Sequence, residues 1–343
     1  MATKTKKYPV VWLQGAGCTG CSVSVLNAVS PKIQNLLLDE LVPGQQLNLI
    51  FHSTIMAGQG EPVIEVLKDT EKNREGDYIL VVEGAIPTAE GGLYGGIGEK
   101  DGKHLTVQQS VEELGRNALL TIALGTCACY GGIPAAKPNP TLCKGVQTVF
   151  KEKGIKTAVI NVPGCPPIGE VMAGTIVYLL TFDKIPQLDG LGRPKSFYSR
   201  RVHDTCYRRP NYDAGLFVES FDDENAKRGY CLYKMGCRGP VTYNSCGVIR
   251  WNNGVSYPIQ SGHGCIGCSE ANFWDNGPFY QHLASFPGFG IETTADNIGV
   301  AVGAVTVAGI AAHAISTNIR KRKIIRENVE EGISEDQNEK GGE

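Results

Sequence analysis

The sequence has no excess of charge of either sign and no basic stripe. Its 343 residues include 33 Lys and Arg against 35 Asp and Glu, a formal net charge of −2 at pH 7. Because nucleic-acid binding requires a clustered positive surface, this balance argues against a nucleic-acid partner. The cysteine content, 12 of 343 residues, is far below that of a small disulfide scaffold. The length allows one large or two moderate domains with their own cores.

Neighbouring cysteine pairs of the kind that bind structural zinc are also absent. Cys18-x-x-Cys21 and Cys265-x-x-Cys268 lie at opposite ends of the chain, whereas zinc needs two close-set pairs or a Cys/His set at finger spacing. Disulfides fit poorly because x-x pairs are badly placed to bridge. Zinc, disulfides and one or two inert buried thiols stay as lesser alternatives. Several thiolates brought together by a fold instead suggest iron–sulfur clusters and electron transfer.

Short apolar runs alternate with helical stretches in the first half of the chain. The predicted strands are residues 8–14, 47–52, 77–83, 119–124 and 157–162, and helical stretches such as 62–72 and 107–114 separate them. This alternation predicts a parallel α/β sheet with helices on both faces. We therefore predict a flavodoxin-like domain over residues 1–184.

Four cysteines lie just past the carboxyl ends of predicted strands. Cys18 and Cys21 follow the first strand, Cys127 follows LLTIALGT, and Cys165 follows TAVINVPG. In open α/β sheets this edge is where ligands bind. We therefore expect the four thiolates to meet there around one cubane cluster, with nearby glycines letting backbone N–H groups approach its sulfides.

The pattern changes after about Lys184. Regular periodicity fades, and Gly, Pro, Asn, Tyr and Cys become common. This composition predicts a second, loop-rich domain over residues 185–292, organised around metal rather than around a large apolar core.

Residues 298–315, IGVAVGAVTVAGIAAHAI, form an apolar run of about the length that spans a bilayer. The basic cluster RKRK follows at residues 320–323. We predict a transmembrane anchor over residues 293–323, although a helix buried in a soluble core or partner is an alternative. The basic cluster indicates a cytoplasmic C-terminal end and a body on the outer face of the cell membrane. The polar, acidic residues 324–343 are predicted to be disordered.

The cysteine motifs CTGC, GTCA, PGCPP, HDTC, two further cysteines, Cys…Pro and GHGCIGC run in order between residues 11 and 279. In this order they resemble the small subunit of membrane-bound [NiFe] hydrogenases of the uptake type, near the branch that includes [NiFeSe] enzymes. The resemblance implies three clusters in a line. A proximal [4Fe–4S] cluster would use Cys18, Cys21, Cys127 and Cys165. A distal [4Fe–4S] cluster would use His203, Cys206, Cys231 and Cys237. A medial [3Fe–4S] cluster would use Cys246, Cys265 and Cys268, with Pro258 where a fourth cysteine would stand.

The resemblance also implies the role of the chain. Electrons from H2, oxidised at a Ni-Fe site in a large partner subunit, would pass through the clusters to a membrane or soluble acceptor, such as an iron–sulfur or cytochrome subunit. The chain itself would have no catalytic residue and would place and tune cofactors. Cys129 and Cys143 match no ligand position and are interpreted as structural, with Cys129 a minor alternative to Cys127. A single-cluster quinone-reductase-type subunit and an FMN-binding module are the rival interpretations.

Departures from the family pattern are informative. The extra cysteines of oxygen-tolerant members fall at Gly20 and Gly132, and two frequent glutamates fall at Gly17 and Val23. The resemblance therefore implies an ordinary, oxygen-sensitive proximal cluster. The chain begins MATKTKK and carries no twin-arginine signal, which exported members normally have. We expect either that such a signal is removed or that the body stays inside.

Overall fold

A computed structural model describes residues 5–39, 43–277, 279 and 295–339, with side-chain surroundings left undescribed for 295–298, 324–325 and 327–339. The chain divides into two units, Met1–Gln281 and His282–Glu343. Each unit is described by itself below.

A parallel sheet lies at the centre of the first unit. The strands of the described residues are β1 (Lys6–Gln14), β2 (Gln45–His52), β3 (Ile79–Glu83), β4 (Gly96–Lys100), β5 (Lys103–Thr106), β6 (Leu120–Leu124) and β7 (Val159–Val162). Five of them form a sheet in the order β2-β1-β3-β6-β7, and every neighbouring pair is parallel. Without the separate β4–β5 hairpin this is the 2-1-3-4-5 order of flavodoxin-like folds, so the predicted fold class is confirmed.

The sheet forms because its strands are continuous apolar runs that can be buried on both faces. All five residues of β3 are buried, as expected for a central strand of a doubly covered parallel sheet. One face packs Trp12, Val81 and Ile122 into the larger core, and the other packs Leu80 and Val82 into a second core.

The α-helices of the described residues are α1 (Gly20–Leu26), α2 (Ile33–Leu38), α3 (Glu61–Asn73), α4 (Val107–Asn117), α5 (Gly125–Tyr130), α6 (Val146–Glu152), α7 (Gly169–Phe182), α8 (Lys195–Tyr198), α9 (Arg209–Asp213), α10 (Glu224–Lys227) and α11 (Ala295–Glu339). Helices α1, α2 and α7 contribute to the larger core on one face of the sheet, and α3, α4 and α6 contribute to the second core on the other face. A capping box starts α4: the Gln109 N–H donates to Oγ1 of Thr106 at 3.1 Å, and the Thr106 N–H donates to Oε1 of Gln109 at 3.3 Å. The two predicted helical stretches correspond to α3 and α4.

Between α7 and residue 277 the described chain contains short helices, 3₁₀ turns and loops. Its apolar side chains nevertheless join the larger core: Val202, Leu232 and Ile259 cluster with Ile160 and Met172. The prediction for this region is an organisation around metal rather than around a large apolar core, and these side chains contribute to the larger core as well. The sequence does not predict this packing, because these apolar residues lie in irregular loops and have no periodic spacing.

Helix α11 belongs to the second unit. Its segment Gly299–Lys323 is long and apolar enough to cross a membrane, and none of it is buried. The described backbone stays helical to Glu339, which differs from the disordered tail predicted from residue 324. A physical reason is that residues 324–339 contain no proline and many good helix formers such as Glu.

Candidate iron–sulfur sites

The three loops at the carboxyl edge of the sheet bring the four proximal candidates together. Cys18 and Cys21 follow β1, Cys127 lies in α5 directly after β6, and Cys165 follows β7. Burial and the nearby Cys165 thiol raise the pKa of Cys127 to about 12. Burial also raises the pKa of Cys21, and Glu83, Cys127 and Cys165 add to that effect. Burial raises the pKa of Cys165 as well, and the Cys18 thiol acts in the same direction. These mutual effects on the pKa values indicate that the four thiols lie close together.

Glycines make this close approach of the loops possible. Gly125 has a φ of +85°, and a Cβ built there would collide with Sγ of Cys21. Gly132 has a φ of +58°, and its Cβ would lie 2.6 Å from Sγ of Cys127. A Cβ on Gly20 would lie 3.1 Å from Sγ of Cys18. Gly20 and Gly132 are therefore sulfur-free positions directly beside the candidate ligands.

A buried glutamate, Glu83 at the end of β3, supports the first loop. Its Oε1 accepts the backbone N–H groups of Cys21 at 3.0 Å and Ser22 at 3.1 Å. Its Oε2 accepts from Nε1 of Trp12 at 3.0 Å, Nε2 of Gln14 at 3.2 Å and Oγ of Ser22 at 2.5 Å. Helix α1 has no side-chain cap of its own at Thr19. Glu83 therefore caps that helix from a neighbouring strand, where a negative charge is favourable.

His52 extends this network beneath the loop. The N–H of Thr54 donates to Nδ1 of His52 at 3.2 Å, and Nε2 lies 3.2 Å from Oγ of Ser22. Because Nδ1 accepts, Nε2 carries the proton of a neutral ring. Burial lowers the pKa of His52, and the charge of Glu83 opposes that effect. The ring also packs on Trp12, with centroids 4.8 Å apart.

The four distal candidates line a single pocket. His203, Cys206, Cys231 and Cys237 surround it together with Arg208, Arg209, Leu232, Tyr233, Gly239, Pro240 and Ile259. Burial, reinforced by Arg209, lowers the pKa of His203, and a neutral imidazole is the form that binds metal. The ring is held edge-on against Tyr212, with centroids 4.5 Å apart. Burial raises the pKa of Cys231 to about 11.

The medial candidates form the third group. Burial raises the pKa of Cys246, and the thiols of Cys268 and Cys265 add to the effect. The N–H of Gly267 donates to Sγ of Cys265 at 3.4 Å. Pro258 is exposed, and its carbonyl accepts the N–H of His263 at 2.9 Å.

Two cysteines have other partners. Sγ of Cys129 donates to the carbonyl of Ala123 at 3.2 Å and is buried in the second core. Sγ of Cys143 lies 3.2 Å from Oγ1 of Thr141. These contacts support a structural role for both residues.

The donor sets fit iron–sulfur clusters. Buried thiols with raised pKa values do not ionise unless a cation compensates them, and cluster iron is such a cation. In the described part of the chain, no three His, Cys, Asp or Glu side chains converge closely enough to hold one ion. A cluster spaces its thiolates more widely than a single ion does, because each thiolate binds a different iron.

Three supporting residues were missed from the sequence. Glu83 follows four apolar strand residues, and a charge at the carboxyl end of a buried parallel strand is a signal that indicates the site. Thr126 precedes a candidate ligand in the chain. Arg193 is buried and forms ion pairs with Asp189 at 2.7 Å and Glu270 at 2.9 Å. No local pattern in the sequence predicts these ion pairs.

A flavodoxin-like sheet with cysteine loops at its carboxyl edge, followed by two more groups of buried sulfur and nitrogen donors, defines the class: an iron–sulfur electron-transfer protein. Comparisons with known proteins make this more specific. A family model for the C-terminal part of the NiFe/NiFeSe hydrogenase small subunit matches residues 198–280. A model for the NADH ubiquinone oxidoreductase 20 Kd subunit matches residues 18–179.

The relatives cover nearly the whole chain. The uptake hydrogenase small subunit of Rhizobium leguminosarum bv. viciae is 47% identical over 95% of this chain and 87% of that protein. The uptake hydrogenase small subunit of Azotobacter vinelandii is 47% identical over 93% of this chain and 86% of that protein. A solved Ni-Fe-Se hydrogenase structure from Desulfomicrobium baculatum is 40% identical, with a TM-score of 0.74 over 81% of this chain and 100% of that one. The chain belongs to the [NiFe] hydrogenase small-subunit family.

Proposed function

We propose that this chain relays electrons from H2 oxidation in a large partner subunit through three iron–sulfur clusters to a further acceptor. When bound, the clusters supply one-electron redox steps. The residues of the chain would hold the clusters at fixed positions, and the buried thiols of Cys231, Cys237 and Cys246 would keep water from the distal and medial clusters. The observation that carries the proposal is that the candidate ligands lie near one another in three sets: the distal ones line one pocket, and the proximal and medial thiols act on each other's pKa.

The assignment of cluster types follows from ligand chemistry. The proximal group offers four thiols and suits a [4Fe–4S] cluster, and so does the distal group of three thiols and the neutral His203. The medial group offers the three thiols of Cys246, Cys265 and Cys268, with Pro258 instead of a fourth, and suits [3Fe–4S]. A single-cluster quinone-reductase-type role would leave seven of these ligands without a purpose.

The partners follow from the same role. The chain needs a large subunit to oxidise H2, and an iron–sulfur or cytochrome subunit is the kind of acceptor that a cluster chain can reduce. The exposed apolar segment Gly299–Lys323 supports anchoring in the cell membrane. The basic residues 320–323 favour a cytoplasmic C-terminal end and a body on the outer face.

Matched cysteine variants of the complex, purified from native membranes, test the ligand assignment. Cys246→Ser should lose the [3Fe–4S] electron paramagnetic resonance signal and about three iron atoms per chain. Cys143→Ser, also a buried thiol but outside the three groups, should keep both. Equal signals in the two variants would contradict the assignment. Mass spectrometry of the native complex identifies the partner chains.

A further inference from the structure

The hydroxyl of Thr126 connects the proximal ligand loops to the medial ligands. The side chain is buried, and its Oγ1 accepts the N–H of Gly164 at 2.9 Å and donates to the carbonyl of Cys268 at 2.5 Å. The N–H of Thr126 also donates to the carbonyl of Gly164 at 3.0 Å. Thr126 precedes Cys127 and Gly164 precedes Cys165. One side chain thus ties two proximal loops to a medial ligand.

This connection holds a proximal ligand against a medial one. Burial raises the pKa of Cys268 to about 12, and the backbone N–H of Cys165 faces its sulfur and acts in the opposite direction. The hydroxyl of Thr126 thereby links the loop that carries Cys165 to the candidate ligand Cys268 of the next group.

The junction between the medial and distal groups repeats the arrangement. The N–H of Cys265 donates to Sγ of Cys237 at 3.3 Å. The carbonyl of Cys265 accepts the N–H of Arg238 at 2.7 Å, which fixes the residue next to Cys237 as well. Each pair of neighbouring groups is thus joined by hydrogen bonds between the loops that carry their candidate ligands.

We propose that these hydrogen-bonded links are the electron-transfer junctions between clusters, and that Thr126 is a positioning residue that sets the first of them. The inference rests on the ligand assignment proposed above. With clusters bound, one electron would pass across each junction, and no bond or proton would change place. The electrons come from H2 through the hydrogenase reaction. Thr126 is not among the candidate ligands and acts only by fixing the position of the proximal loops against Cys268.

The variant that tests this role is Thr126→Val, because valine keeps the shape and lacks the hydroxyl. It leaves the Gly164 N–H and the Cys268 carbonyl without their partner, so the link from the proximal loops to Cys268 is lost. The backbone bond from the Thr126 N–H to the Gly164 carbonyl remains. Thr126→Ser keeps the hydroxyl and is the matched control. The complete complex is mixed with H2 and freeze-quenched, and the disappearance of the oxidised medial signal is followed in time.

The inference predicts that medial reduction is severalfold slower in Thr126→Val and close to the wild-type rate in Thr126→Ser, with full iron content in both. A purely structural role would lower thermal stability and leave that rate unchanged. An unchanged rate in loaded Thr126→Val would overturn the inference. If wild-type complex itself lacks the medial signal or the iron, the ligand assignment fails instead.

A second variant tests the other junction without relying on Thr126. A Cβ on Gly264 would lie 3.2 Å from Cα and 3.3 Å from Cβ of Cys237, so Gly264→Ala should push the Cys265 amide away from that sulfur. We expect slower distal reduction with medial reduction unchanged. Gly190→Ala, which has nothing within 4 Å of its added Cβ, is the control. A normal rate of distal reduction in Gly264→Ala would contradict the proposed medial–distal junction. If the complex with Thr126→Val does not assemble, the result for Gly264→Ala decides whether the inference holds.

Discussion

Replacing Glu83 by Gln should weaken the first cysteine loop and change the redox potential beside it. The carboxylate accepts two backbone N–H groups on one oxygen and three side-chain donors on the other. Glutamine can keep the first oxygen, but its NH2 group then faces the N–H donors of Trp12 and Gln14. The Ser22 hydroxyl can rotate to accept a hydrogen bond from the new NH2 group. The N–H donors of Trp12 and Gln14 cannot accept one, so those two hydrogen bonds are lost.

The size of the effect follows from those two lost bonds. A hydrogen bond to a charged group contributes about 1.5–3 kcal/mol, so two give roughly 3–6 kcal/mol. That is a large share of a typical domain stability of about 5–15 kcal/mol. The charge of Glu83 also raises the pKa of Cys21, which means that its field reaches the ligand. Removing a negative charge there should make the proximal cluster easier to reduce, because the reduced form is the more negative one.

Two assays check this prediction on the purified complex. Thermal unfolding should show a lower Tm for Glu83→Gln, and a redox titration followed by electron paramagnetic resonance should show a higher midpoint potential for the proximal cluster. Glu75→Gln, an exposed residue shortly before β3, should change neither. A variant with the wild-type Tm and potential would refute the assigned role of the carboxylate.

Three further predictions concern the medial group, oxygen and the membrane. Pro258→Cys should supply a fourth medial thiolate, convert the centre towards [4Fe–4S] and remove the [3Fe–4S] resonance; an unchanged resonance in fully loaded protein would contradict the assignment. Because Gly20 and Gly132 place no sulfur beside the proximal ligands, H2 oxidation on an electrode should stop in air, and a sustained current would be the opposite result. Val307→Asp should weaken membrane retention with iron content intact, since a central charge costs about 2.5–3.5 kcal/mol on insertion scales; Val300→Asp, nearer the end of the apolar segment, should weaken it less, and retention equal to wild type in both would argue against the anchor.

The sheet could be predicted from sequence because its strands carry their own signal. Runs such as ILVV in β3 are apolar and bounded by turns, so all five predicted strands are confirmed within a few residues. The hairpin of β4 and β5 was missed because GIGEK and KHLT have little apolar periodicity. The dipeptide Asp101-Gly102, with φ values of +52° and +70°, is the turn signal that indicates it.

The supporting residues of the site could not be predicted in the same way. Cysteines that follow strands can be recognised in the sequence by their residue type. They can be placed together because the carboxyl ends of parallel strands meet at one edge of the sheet. Glu83 instead accepts hydrogen bonds from donors in β1 and α1 that lie 61 to 71 residues away in sequence. Thr126 bonds a residue 142 positions away. Only the folded chain brings such partners together.

The most direct test of the three-cluster relay is the iron content and spectrum of the intact complex purified anaerobically. We predict about eleven iron atoms on this chain, a [3Fe–4S] resonance in the oxidised protein, and two [4Fe–4S] centres reduced on exposure to H2. About four iron atoms and no [3Fe–4S] resonance would mean a single cluster, and would contradict the three-cluster relay.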